Sequence, residues 1–322
     1  MRVMRVKDPM KLVVGLAAGV MLITATAVGC GASATPAPAT IVPAATAGPA
    51  GTNVLAAKAV ETATEAGQPN EQGVTREGIE RGAGNVKEVV KIEAGKTDLR
   101  VGRTALAPGG YISWHSHDGS GLIVVERGTV TVKQADGTTA DYPTGSAFFD
   151  KKSDVHRFSN SGNVDAVLLL AFAIAGGPPA ETPSMAFTSD PTTTTPLAGQ
   201  PNEQGVTRQG IGRGTGNVKE MVKIEVGKTD LRFGRTTLAP GGYLSWHSHP
   251  GPVLYVVEKG TVSGTQADGA TADYPAGSAF FEPKGDVHRV SNNGNIDAVS
   301  LVIAAIPGGT PAENPSMTYT KD

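Results

Sequence analysis

Residues 108–117 read Pro-Gly-Gly-Tyr-Ile-Ser-Trp-His-Ser-His, and residues 240–249 read Pro-Gly-Gly-Tyr-Leu-Ser-Trp-His-Ser-His. Each stretch opens on a turn and runs through strand-forming residues into two histidines two positions apart. Side chains alternate along a strand, so His115 and His117 share one face, as do His247 and His249. The same alternation puts Tyr111 and Ser113 on the histidine face and turns Ile112 and Trp114 away. Tyr243 has the corresponding place in the second stretch.

Working outward, Ala66–Thr188 recurs as Ala198–Thr320 at a constant offset of 132 residues. About three quarters of the aligned positions are identical, and each copy is the size of one domain. Within a copy the runs Val89–Glu93, Leu99–Ala107, Tyr111–His117, Leu122–Glu126, Thr129–Lys133, Ala147–Phe149, Val155–Ser159 and Val164–Ile174 have strand composition and are separated by turn residues. No segment carries a helical period over three turns. The pattern predicts an all-β protein with a sandwich or closed barrel per repeat, and Leu168–Ile174 reads as a strand buried on both faces. The expected organisation is 1–30 export segment, 31–65 linker, 66–188 first domain, 189–197 linker and 198–322 second domain.

The chain has 322 residues, with 28 Lys and Arg against 30 Asp and Glu. That balance offers no basic stripe for a phosphate backbone, which argues against a nucleic-acid partner. One cysteine excludes an internal disulfide and any multi-cysteine metal site. All six histidines fall in three equivalent pairs, with His156 and His288 joining the four above. Three imidazoles converging in each repeat make a coordination set for a divalent transition metal such as Fe, Mn or Zn.

These residues resemble the cupin family. Gly109, His115, His117 and Gly128 fit its first motif, G-x5-H-x-H-x3,4-E-x6-G, as do Gly241, His247, His249 and Gly260. Gly277, Pro283, Gly285, His288 and Asn292 fit its second, G-x5-P-x-G-x2-H-x3-N. The first repeat keeps Gly145, His156 and Asn160 but has Lys151 and Ser153 for the proline and glycine. The resemblance implies two tandem cupin-type β-barrels (double-stranded β-helix or jelly roll), each with a metal bound by its three histidines.

The family's glutamate ligand, however, falls at Gly121 and Val253, neither of which binds metal. Glu126 and Glu258 lie five residues further on, where alternation turns them to the opposite face. Three neutral ligands leave the ion's charge uncompensated and favour a small anionic or chelating ligand. Tyr111 and Tyr243 are the candidates for donating a hydrogen bond to that ligand or acting as acid. Tyr255 shares the parity of Val253 and faces inward, where the first repeat has Ile123.

The family includes dioxygenases, isomerases, decarboxylases, storage proteins and sugar-binding modules, so the scaffold leaves the reaction open. Two readings stand: an Fe- or Mn-dependent oxygenase-type enzyme, and a non-enzymatic small-ligand-binding protein.

Arg2, Arg5, Lys7 and Lys11 precede an apolar run from Leu12 to Val28, which reads as an export signal. Ala27-Val28-Gly29-Cys30 resembles a bacterial lipoprotein box, which implies lipidation at Cys30 and an extracytoplasmic, membrane-anchored protein. A single uncleaved N-terminal transmembrane anchor is the alternative. Residues 31–65, rich in Ala, Thr and Pro, read as a tether.

Overall fold

A computed structural model describes residues 71–176, 182–183, 203–310 and 314–315. These all belong to one compact unit spanning 55–322. The signal segment, Cys30, the 31–65 tether and the 189–197 linker lie outside the described residues.

The first repeat contributes β1 (Glu71–Val86), β2 (Val90–Ile92), β3 (Gly95–Ser116), β4 (Gly119–Arg127) and β5 (Thr129–Gln134). It continues with β6 (Thr139–Pro143), β7 (Ala147–Asp150), β8 (His156–Ser159), β9 (Ala166–Ala175) and the short β10 (Thr182–Pro183). The second repeats the series as β11 (Glu203–Val218), β12 (Val222–Ile224), β13 (Gly227–Ser248), β14 (Val253–Lys259) and β15 (Thr261–Gln266). Its remaining strands are β16 (Thr271–Pro275), β17 (Ala279–Glu282), β18 (His288–Ser291), β19 (Ala298–Pro307) and β20 (Asn314–Pro315). The described residues are all-β, as the sequence predicts.

Each repeat forms one antiparallel, barrel-like sheet, in the order β6-β5-β8-β3-β9-β4-β7 and β16-β15-β18-β13-β19-β14-β17. Two predicted strands, Leu99–Ala107 and Tyr111–His117, are the halves of β3. Pro108-Gly109-Gly110 does not end the strand, because the Gly109 N–H donates to Asn160 O at 2.8 Å and the Asn160 N–H to Gly110 O at 2.9 Å.

The first strand of each repeat joins the other repeat's sheet. β1 runs antiparallel to β13 from Glu71↔Leu244 to Val86↔Gly227. β11 runs along β3 from Glu203↔Ile112 to Val218↔Gly95. β2 and β12 pair with Lys91 opposite Lys223, equivalent positions, so a pseudo-twofold axis passes between them.

The alternation in β9 shows how the cores divide. Leu168, Leu170, Phe172 and Ile174 point into the first barrel with Ile112, Ile123 and Phe158. Leu169, Ala171 and Ala173 point out, into a core shared with Leu301, Ile303 and Ala305 of the second repeat. The strand is buried on both faces because a barrel interior lies on one side and the neighbouring barrel on the other. Burying one such large apolar side chain contributes about 1.5–3 kcal/mol. The shared core therefore outweighs the ion pairs at its edge, which include Arg213–Asp98 and Arg81–Asp230.

Candidate metal centre

His115 is the last residue but one of β3 and His117 follows the strand, while His156 opens β8 and pairs directly with His115. The three rings are at most 1% exposed. One nitrogen from each lies within 4.8 Å of the others, and His247, His249 and His288 repeat the arrangement. Both predicted triads are thus brought together inside their barrels.

Local hydrogen bonds orient the rings. His115 Nδ1 lies 2.7 Å from Ser113 O, and His247 Nδ1 lies 2.7 Å from Ser245 O. A carbonyl only accepts, so Nδ1 carries the proton and the Nε2 lone pair faces the centre. His288 Nδ1 donates likewise to Asp286 O at 3.0 Å. His117 Nε2 and His156 Nε2 approach to 3.2 Å. Neighbouring ligands on a common ion with bonds of about 2.1 Å stand about 3.0–3.4 Å apart. The donor set and its spacing fit a divalent cation.

A buried carboxylate completes each cluster, and sequence reasoning missed it. Asp150 Oδ2 lies 3.6 Å from His117 Nε2 and 3.7 Å from His156 Nε2. Glu282 Oε2 lies 3.1 Å from His249 Nε2 and 3.0 Å from His288 Nε2. The strand expectation 147–149 stopped one residue short of Asp150. The available clue was an acid kept at this position in both repeats, at the end of a strand beside the site.

Side-chain length separates the two acids electrostatically. Burial pushes the Asp150 carboxyl up to about 6, against the attraction of His117. Burial acts on Glu282 in the same direction, but the charge of His288 and hydrogen bonds from His249 and His288 win and hold it below the carboxylate range. Burial, then its neighbour His117, lowers His156 to about 3. Burial, then His288 and His249, lowers His247 to about 3. Both imidazoles are therefore neutral and available as ligands at physiological pH. His288 moves up, because Glu282 overcomes the effect of burial.

The tyrosine expectation needs correction. The β3–β8 register shifts between Ile112 and His115, a bulge that inverts the alternation. Ile112 therefore lies inside with Phe158, while Tyr111 pairs with Ser159 and faces outward, its ring 4.9 Å from the Arg157 guanidinium. Tyr243 makes the same contact with Arg289 at 4.9 Å. Neither is placed to act on a ligand at the histidines. Tyr255 does face inward, with its hydroxyl 3.4 Å from His249 Nε2. Glu126 and Glu258 are turned away from the histidines, each 2.8 Å from Arg103 or Arg235.

The two interiors differ. Beside His249 the second barrel holds a cavity of about 60 Å3, lined among others by Thr236, Val253, Tyr255, Ser300 and Ala304. At the positions of Val290, Ser300 and Ala304 the first barrel has Phe158, Leu168 and Phe172. The Phe172 ring lies against His117, centroids 4.3 Å apart. It fills the space beside Gly121, where an added Cβ would meet Phe172 Cε1 at 2.4 Å.

The family described as "Cupin domain" matches residues 102–172 and 234–304, the segments that carry these clusters. The chain carries two cupin domains. Solved structures similar to this bicupin include oxalate decarboxylase from Bacillus subtilis, at 17% identity over 68% of this chain and 72% of that one, TM-score 0.33. AerE from Microcystis aeruginosa matches at 11% identity over 74% and 98% of the two chains, TM-score 0.28. The polyketide cyclase RemF from Streptomyces resistomycificus matches at 24% identity over 26% and 59%, TM-score 0.24. No curated protein matches the bicupin sequence.

Proposed function

We propose that this protein is an exported, metal-dependent bicupin whose second barrel takes a small anionic or chelating ligand and acts on it with Fe- or Mn-dependent, oxygenase-type chemistry. The observation that carries this reading is the cavity beside His249, with the Tyr255 hydroxyl 3.4 Å from the ligating nitrogen. His247, His249 and His288 would hold the ion, which supplies Lewis acidity and a redox-active centre. Tyr255 donates a hydrogen bond to an oxygen of the bound ligand and fixes its orientation. Thr236 and Ser300 add hydroxyls to a mostly apolar wall that includes Val253, Val302 and Ala304 and excludes water. At about 60 Å3 the space suits a ligand of a few heavy atoms.

Phe158, Leu168 and Phe172 fill the corresponding space of the first barrel, whose histidines would hold an ion without room for a substrate. Lipidation at Cys30 would hold both barrels at the outer surface of a membrane. Replacing Cys30 with Ser is expected to release the protein into the soluble fraction.

The test of function joins elemental analysis of natively produced protein to oxygen uptake. Bound iron or manganese with substrate-dependent oxygen consumption supports the enzyme. A ligand-induced thermal shift without oxygen consumption replaces it with a binding protein. The double substitution Val253→Gly, Ala304→Phe transplants the first barrel's lining, and should abolish uptake while both metals stay bound.

A further inference from the structure

We infer that Asp150 and Glu282 are the fourth protein ligands of the two centres, occupying from a neighbouring strand the coordination position that Gly121 and Val253 have left vacant. This rests on the metal-dependent reading above and deepens it.

β4 pairs with β7 so that Gly121 is directly opposite Asp150, and β14 with β17 so that Val253 is directly opposite Glu282. Directly paired residues point to the same face with their Cβ atoms about 4.5–5.5 Å apart. A carboxylate moved one strand sideways is thus aimed at the same interior point as the one that was lost. In the first barrel the original place is physically taken by the Phe172 ring, which a side chain at Gly121 would strike.

The direction of approach separates a ligand from a positioning group. A carboxylate that merely orients a ligating histidine binds the ring nitrogen facing away from the metal. Asp150 and Glu282 instead approach Nε2 of two histidines at once. In the second barrel the Nδ1 of His288 is already given to Asp286 O. Asp150 and Glu282 are 3% and 4% exposed, and Asp150 Oδ2 makes no hydrogen bond. Such an anion is tolerated where a cation meets it. Glu126 and Glu258 are held by Arg103 and Arg235 instead. Three imidazoles and one carboxylate suit Mn2+ or Fe2+ and leave one net positive charge for an anionic ligand.

The experiment uses full-length protein stripped by chelator and titrated with Mn2+ or with Co2+, whose visible absorption reports its ligands. Asp150→Asn and Glu282→Gln preserve shape, and unfolding of the metal-free variants verifies that they fold. Each is expected to weaken its own centre by about 100-fold or more, at the upper end of what loss of an outer-shell partner does, and to change the Co2+ spectrum. Asp150→Glu, which gains the reach of Glu282, should bind at least as tightly as the parent protein. Wild-type affinity and an unchanged spectrum in Glu282→Gln, or equal losses in Asp150→Glu and Asp150→Asn, would overturn the assignment while leaving three-histidine binding intact. Failure of the unaltered protein itself to bind either ion would instead remove the metal-dependent reading.

Discussion

Ser153 is the one non-glycine residue with positive φ among the described residues, at 68°. Its N–H donates to His117 O at 2.8 Å, as that of Gly285, φ 85°, does to His249 O at 2.9 Å. The turn leading to the third histidine thus demands a left-handed residue, and the first repeat meets that demand with a side chain that resists it. Ser153→Gly should raise stability by about 0.5–1 kcal/mol, the relief of strain less the added freedom of the unfolded chain. Urea unfolding checks this. Asn160 and Asn292, shared by both second motifs, hold the other end of the hairpin: Asn160 Nδ2 donates to Leu106 O and Val164 O at 2.8 Å, and Oδ1 accepts from the Gly162 N–H. His117→Ala should remove about half the bound metal by elemental analysis, because each barrel assembles its own ligands. Unchanged stoichiometry would contradict that independence.

At the scale of elements, the exchanged strands β1 and β11 are each locked by one arginine. Arg213 of β11 bonds Asp98 of β3 at 2.9 and 2.7 Å, and Arg81 of β1 bonds Asp230 of β13. Burial would raise Asp98, but hydrogen bonds from Arg213 and Arg100 hold it below the usual carboxylate range. Arg81 does the same for Asp230. A carboxyl lowered in the folded state stabilises it above the unfolded pKa, about 3.9, and that contribution is lost as pH falls through the folded value. Thermal scans should therefore show a steeper loss of stability below about pH 4 in the parent protein than in Asp98→Asn, Asp230→Asn. Equal slopes would mean the pairs do not hold the strands.

These strands also mark where the fold was legible and where it was not. β9 announced itself because both its faces are apolar, and the histidine triads did so because six scarce residues fell at matching places. Glu71–Val86 was missed as a strand because Arg76, Glu77, Glu80 and Arg81 break any apolar alternation. Its Gly84 is dictated by a neighbour the local pattern does not reveal: a Cβ there would lie 2.2 Å from Ala147 O. The β3 bulge was hidden for a related reason. Alternation assumes an unbroken ladder, and on that assumption Tyr111 takes the face that Ile112 occupies. Asp150 and Glu282 are not legible from the motif, which points to β4 and β14, whereas the acids stand across the ladder from those strands.

For the whole molecule, two barrels related by a pseudo-twofold axis share one core and complete each other's sheets. A single repeat retains the surface that received its partner's strand, together with a strand of its own to offer. Residues 198–322 expressed alone should therefore form a homodimer by reciprocal exchange, with Val222, Ile224, Leu231, Phe233 and Leu301 buried against their copies. Sedimentation at micromolar concentration measures this, and a stable, well-folded monomer would contradict it. The exchange also sets a clock on biosynthesis. β3 lacks its β11 neighbour until residue 218 has emerged, and β1 must wait for residues 227–248. Neither half can mature while the other is still being made, so a ribosome that stops early leaves an open sheet edge rather than one finished barrel.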